Sequence, residues 1–260
     1  SSDLGLIILA ILFRGRGEAA FFEMRPYYWG ILGLIGWAYL TAGTTFLFTR
    51  RNTTALLGVM TVLSCFYLAD MAAGPFLPWL HPWLKAGYVL CPHSVIVLGG
   101  TVLSINITDS SIKTAPRAQI GWAFFYGFVF LIAGVLLHRL NTIHPAFAMY
   151  KNTATIPWCF VSCGLVAWLW AGVFWLVDVA GITSWTRIFE PAGRNPLFVY
   201  LLAPLVYIII EYIGLIFGTP RFFYRIGEQF PAGLARSLFI TALLPFLTAM
   251  LSKRGVRVKV

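Results

Sequence analysis

An acidic side chain inside a long apolar run is the first residue in this sequence that asks for a chemical explanation. Glu211 lies in the run that starts at Pro196, and Tyr200, Pro204 and Tyr207 precede it at spacings of four, three and four residues. At about 100° per residue this spacing keeps all four on one helix face. A carboxylate within hydrocarbon costs several kcal/mol unless it finds a partner or a wet cavity. The face therefore reads as the wall of an internal chamber, and a structural polar contact between helices would give the same stripe. Just ahead of it, Gly193-Arg194-Asn195 sets a cation beside the unpaired N–H groups and positive dipole end of the coming helix. Arg194 and Asn195 are thus candidate cofactor-binding residues for an anion such as a phosphate, although a helix cap with a snorkelling Arg has the same sequence. Asn195 before Pro196 reads as a side-chain cap, and Gly218 with Pro220 as the helix end.

Two further positions join this list as chamber candidates. His93 follows Cys91-Pro92, where proline frees a backbone carbonyl, so it could carry a proton or a ligand, or be satisfied by a neighbouring helix. Asp178 closes an apolar run, as Asp70 nearly does, and each reads equally well as an interfacial polar residue. Cys159 and Cys163 share a helix face without a nearby His or acidic cluster, so they read as small packing residues, and no metal site is expected. Asn52-Thr-Thr54 and Asn106-Ile-Thr108 fit the glycosylation sequon, the second close to the membrane.

The elements that must position these residues are set by composition. The 260 residues are 59% hydrophobic and 11% charged, against roughly a quarter charged in soluble domains. A water-soluble globule is excluded. A span needs about 20 apolar residues, and full spans are expected near 28–48, 55–74, 89–108, 119–138, 156–179, 196–217 and 235–252. The fold class is therefore all-α: a polytopic membrane helix bundle of about seven full spans plus a partial N-terminal helix over Leu4 to Phe13, with residues 1–260 forming one transmembrane domain. The Pro- and Trp-rich stretch Pro75 to Lys85 and the stretch Arg221 to Phe230 are expected to lie in the interface, the first as an aromatic belt or as a lid.

A net charge of +10 would raise nucleic acid as a partner for a soluble chain. Here the basic residues sit in short loops, so they read as headgroup anchors and no nucleic acid is expected. Lys and Arg divide almost evenly between the two sides. Only the tail, with Lys253, Arg254, Arg257 and Lys259, is dense enough to favour a cytoplasmic C-terminus.

Three stretches carry a family resemblance. Pro26-Tyr-Tyr-Trp-Gly-Ile-Leu-Gly-Leu-Ile-Gly-Trp-Ala-Tyr-Leu40, then Asn152-Thr-Ala-Thr-Ile-Pro-Trp-Cys159 followed by Phe174-Trp-Leu-Val-Asp178, and Gly193-Arg-Asn-Pro-Leu-Phe-Val-Tyr200 resemble the heparan-α-glucosaminide N-acetyltransferase family, bacterial and lysosomal proteins of the transmembrane acyltransferase group. The likeness runs from about residue 25 to 205. It implies a larger helical bundle that takes an acetyl group from cytosolic acetyl-CoA and delivers it across the membrane to a saccharide amine or hydroxyl. It also implies a location in the bacterial inner membrane. By family position Asn195 falls on an Asn-Pro helix start, Asp178 on a Trp-Leu-Val-Asp helix end and Trp158 on a Pro-Trp pair, which line the core or the CoA side. None of these is the catalytic base.

The chain departs from the family at the decisive place. The proposed catalytic His lies in a His-Ala-x-Trp-x-Gly-like N-terminal loop, and His81, His93, His138 and His144 stand in no such motif. The expectation is a C-terminal portion that lacks the family's first helices, whose catalytic residue is unknown. The competing expectation is a non-catalytic structural subunit of a larger membrane complex, packing on partner membrane subunits or on a second copy. A secondary transporter, suggested by Glu211 and the broken helices, lacks the paired half-helices that such folds use.

Overall fold

The computed structural model describes residues 31–75, 77–79, 81, 86–108 and 115–253. Every regular element among them is a helix: α1 (Ile31–Thr49), α2 (Thr53–Ala73), α3 (Cys91–Ile107), α4 (Pro116–Arg139), α5 (Ile156–Phe174), α6 (Thr186–Arg194), α7 (Pro196–Ile216), α8 (Phe222–Arg225) and α9 (Phe230–Lys253). Short π turns, Ala86–Leu90 and Trp175–Val179, lead into α3 and out of α5. With those turns, six helices are long and apolar enough to cross a bilayer, and the protein is an integral, multi-pass membrane protein. Seven full spans were expected. The first is helical over Ile31–Thr49, and the beginning of that run lies outside the described residues, as do Leu4 to Phe13, much of Pro75 to Lys85, and the tail from residue 254.

The chain divides between Trp175 and Leu176 into two compact units. In the first unit, α2 to α5 enclose the core. Each contributes a stripe at spacings of three and four: Leu56, Met60, Ser64 and Tyr67; Cys91, Val95, Leu98 and Val102; Ala123, Tyr126 and Phe130; Cys159, Cys163, Ala167 and Ala171. Helices α4 and α5 make the closest approach. A β-carbon on Gly164 would lie 2.7 Å from the Gly127 carbonyl oxygen, and one on Gly134 would lie 2.9 Å from the Pro157 carbonyl oxygen. In lipid there is little hydrophobic drive between helices, so association depends on such close backbone packing at small residues.

In the second unit, Val206 of α7, Phe223 of α8 and Ile240 of α9 form the core, with Leu202, Tyr207, Ile210, Leu243, Leu244 and Leu247 around them. The amphipathic helix α6, with Trp185 edge-on to Phe189, was not expected from the apolar runs.

Many hydroxyls in the spans bond back to the carbonyl four residues earlier. Thr41, Thr44, Thr45, Thr61, Ser64, Thr101, Ser237, Thr241 and Thr248 all do so. Each satisfies its hydroxyl within its own helix.

Candidate functional site

The first unit holds a cleft of about 700 Å³. Helix α1 supplies Tyr39, Ala42, Gly43 and Phe46 to its walls, and α3 supplies residues from Ile96 to Thr108. Tyr126 of α4 and Ser162, Cys163 and Val166 of α5 complete the lining, and Arg51 stands at one end. Twelve residues separate Ile96 from Thr108, so at 1.5 Å per residue the cleft follows α3 for about 18 Å. That is more than half of a hydrocarbon core of about 30 Å.

Glycines shape this cleft in two ways. At Gly99 an added β-carbon would lie 2.7 Å from Cys163 Sγ and 3.3 Å from Tyr126 Oη, so its missing side chain lets three helices converge. Tyr126 Oη donates to the Gly99 carbonyl at 2.8 Å and fixes that junction. Gly43 and Gly100 meet nothing within 4 Å, and there the absent side chains leave the cleft open. No His, Asp or Glu stands among the described lining residues. The cleft can therefore hold a ligand, but it offers Cys163 no base to activate its thiol.

Arg51 owes its place to an unusual turn. Only three residues join α1 to α2, and two of them, Arg50 (φ 49°) and Arg51 (φ 68°), are left-handed. The Arg50 N–H donates to the Phe46 carbonyl, while the Asn52 side chain accepts the Ala55 N–H and caps α2. Both sides of the turn are thus anchored. Neither arginine has an ion-pair partner among the described residues.

The second unit shows what Glu211 does. After α7 the chain turns at Gly218 (φ 68°) and folds back along that helix. Tyr207, nine residues or about 14 Å before the end of α7, meets Phe223 and Tyr224 with ring centroids 5.8 and 6.1 Å apart. Glu211 Oε1 accepts the Arg221 N–H at 2.9 Å, and Gly214 makes room for Thr219 and Phe222. At the other end of α8, Arg236 Nη1 donates to the Phe223 and Tyr224 carbonyls at 3.0 and 3.4 Å and lies 5.6 Å over the Phe223 ring. The stretch Arg221 to Phe230, expected in the interface, holds a short helix and a 3₁₀ turn (Ile226–Glu228). A carboxylate takes the N–H of the residue before α8, and a guanidinium serves two of the helix's carbonyls.

The expected site residues fall in both units. His93 belongs to the first, where its Nδ1 lies 2.6 Å from the Val89 carbonyl oxygen and donates to it, satisfying the π turn. In the second unit Tyr207 and Glu211 come together against α8. Tyr200 and Asp178 are exposed. Arg194 pairs with Glu190 one turn earlier on α6, with side chains 75% and 52% exposed. The expected side-chain cap at Asn195 is corrected: at φ −140° and ψ 61° its side chain makes no cap bond, and only its carbonyl accepts, from the Val199 N–H. Cys159 and Cys163 are buried core residues. Sequence reasoning missed Arg51. The signal available was the pair Arg50-Arg51 in a short connection between two long apolar runs. Comparison with known protein families, curated proteins and solved structures finds no match to the chain.

Proposed function

We propose that this chain is the membrane-embedded C-terminal portion of an acetyltransferase, which moves an acetyl group from acetyl-CoA to a saccharide amine or hydroxyl across the membrane. The observation that carries this reading is the cleft. A thioester on a flexible neutral arm must travel into a membrane while its charged nucleotide stays outside, and a cleft that follows α3 for about 18 Å with glycine-opened walls suits such an arm. In this reading the thioester end lies near Tyr126, Ser162 and Cys163. The general base that accepts the acceptor's proton comes from outside the cleft lining, as the family's N-terminal His loop would provide.

The protein would reside in the bacterial inner membrane with its basic tail on the cytoplasmic side. Arg194 and Asn195 remain the alternative anion position, at the start of α7, and no metal is required.

The test is acetyl-CoA binding by the full-length protein in lipid nanodiscs. Filling the cleft by Gly100→Leu, at a position where an added β-carbon meets no neighbouring atom within 4 Å, is expected to weaken binding by about tenfold or more, equivalent to about 1.4 kcal/mol. Wild-type affinity in that variant would remove the cleft from the reading. That the described lining holds no His, Asp or Glu also supports a second reading, a non-catalytic subunit of a membrane complex that keeps part of the acyltransferase fold. Binding of acetyl-CoA without acetylation of any amino sugar by the full-length protein would favour it.

A further inference from the structure

We infer that Arg51 is the phosphate-reading residue of the cleft and sets its specificity for a phosphorylated arm over a bare one. This assignment rests on the acetyl-CoA reading. Three observations meet at this residue. Among the described lining residues Arg51 is the one cation, and it stands beside the C-terminal ends of α1 and α3. No described carboxylate pairs with it, so its guanidinium is free for an anion from outside.

Its backbone is also left-handed next to a second left-handed arginine. L-residues pay about 1–2 kcal/mol for that conformation, and glycine or asparagine would occupy it more easily. Strain of this kind is held where side-chain direction matters, and here the bonds on either side of the turn hold it in place. A guanidinium beside an apolar cleft selects a ligand with a neutral linear arm and a phosphate at the head. Its fork can take two phosphate oxygens at once. The diphosphate of CoA, one arm's length from the thioester, has this form.

An anionic phospholipid shares the phosphate chemistry, so the test separates the two. Binding of CoA and of unphosphorylated pantetheine is measured for the full chain in zwitterionic nanodiscs, for wild type, Arg51→Ala, Arg51→Lys, Arg194→Ala and Gly100→Leu. Loss of a hydrogen bond to a charged group corresponds to about 10- to 100-fold in affinity. Arg51→Ala is expected to lose that much for CoA and to bind pantetheine within about twofold of wild type, with Arg51→Lys in between. Loss of CoA binding in Arg194→Ala with Arg51→Ala unchanged would give the phosphate to the start of α7 and overturn the assignment. CoA binding unchanged in Arg51→Ala but lost in Gly100→Leu would overturn the assignment and leave the cleft reading standing. Failure of the wild type to bind CoA would overturn both. Phosphatidylglycerol retained by the wild type and lost from Arg51→Ala in native mass spectrometry, with CoA binding unchanged, would give the cleft to lipid and overturn the assignment.

Discussion

Gly164→Val lowers the stability of the first unit by about 3 kcal/mol, at the upper end of what overpacking a close contact typically costs. A β-carbon there would lie 2.7 Å from the Gly127 carbonyl oxygen and 3.1 Å from the Leu131 backbone nitrogen. Backbone atoms cannot swing away as a side chain can. Helices α4 and α5 would have to separate, and the Trp168 indole N–H, which donates to the Phe124 carbonyl at 3.1 Å, would lose its register. At Gly172 on the same run an added β-carbon meets nothing within 4 Å, so Gly172→Val is expected to change stability by no more than about 0.5 kcal/mol. Thermal unfolding of both variants in detergent, followed by cysteine accessibility at the buried Cys159 and Cys163, reads the difference. Equal losses in the two variants would show that β-branching in a helix, and not helix contact, is responsible.

The second large effect lies at α8. Arg236→Met keeps an unbranched side chain of similar length but strips the Phe223 and Tyr224 carbonyls of their donor and removes the cation over the Phe223 ring. An unsatisfied polar group costs about 1–3 kcal/mol, so the loss should approach 3 kcal/mol and be local to the returning hairpin. Glu211→Gln should be milder, about 1 kcal/mol, because the amide oxygen can still accept the Arg221 N–H. Hydrogen exchange of the amides from Phe222 to Arg225 is the measurement, expected to speed up strongly in Arg236→Met and modestly in Glu211→Gln. Exchange unchanged in Arg236→Met would mean that the hairpin is held by the Tyr207–Phe223 ring contact alone.

These two sites differ in how far the sequence reveals them. The spans at 116–139, 156–179 and 196–216 stand where the apolar runs place them, because hydrocarbon forces a continuous helix wherever no water can serve the backbone. Which face of each span is buried is not written in the same way. The helices are apolar all round, and their inward faces are marked by size: Gly127, Gly134 and Gly164 in one pair, Cys159 and Ala167 beside them.

The partner of Glu211 was equally hidden. It is a backbone N–H ten residues later, and it comes within reach only because the chain doubles back. Helix α6 could have been found: Ile188 and Phe189 on one side and Arg187, Glu190 and Arg194 on the other follow a helical period. Asn195 misled because its residue type fits a cap while its backbone angles turn the side chain away.

The hydroxyls that bond back within their own helices separate two properties that usually change together. Thr44, Thr61, Thr241 and their like give the spans polar atoms without giving them anything to say to a neighbour. Their valine or alanine counterparts would present nearly the same contour to adjoining helices while raising the hydrophobicity that the insertion machinery senses. How readily each segment enters the bilayer can therefore drift in evolution, or be tuned by design, without redrawing the map of which helix touches which.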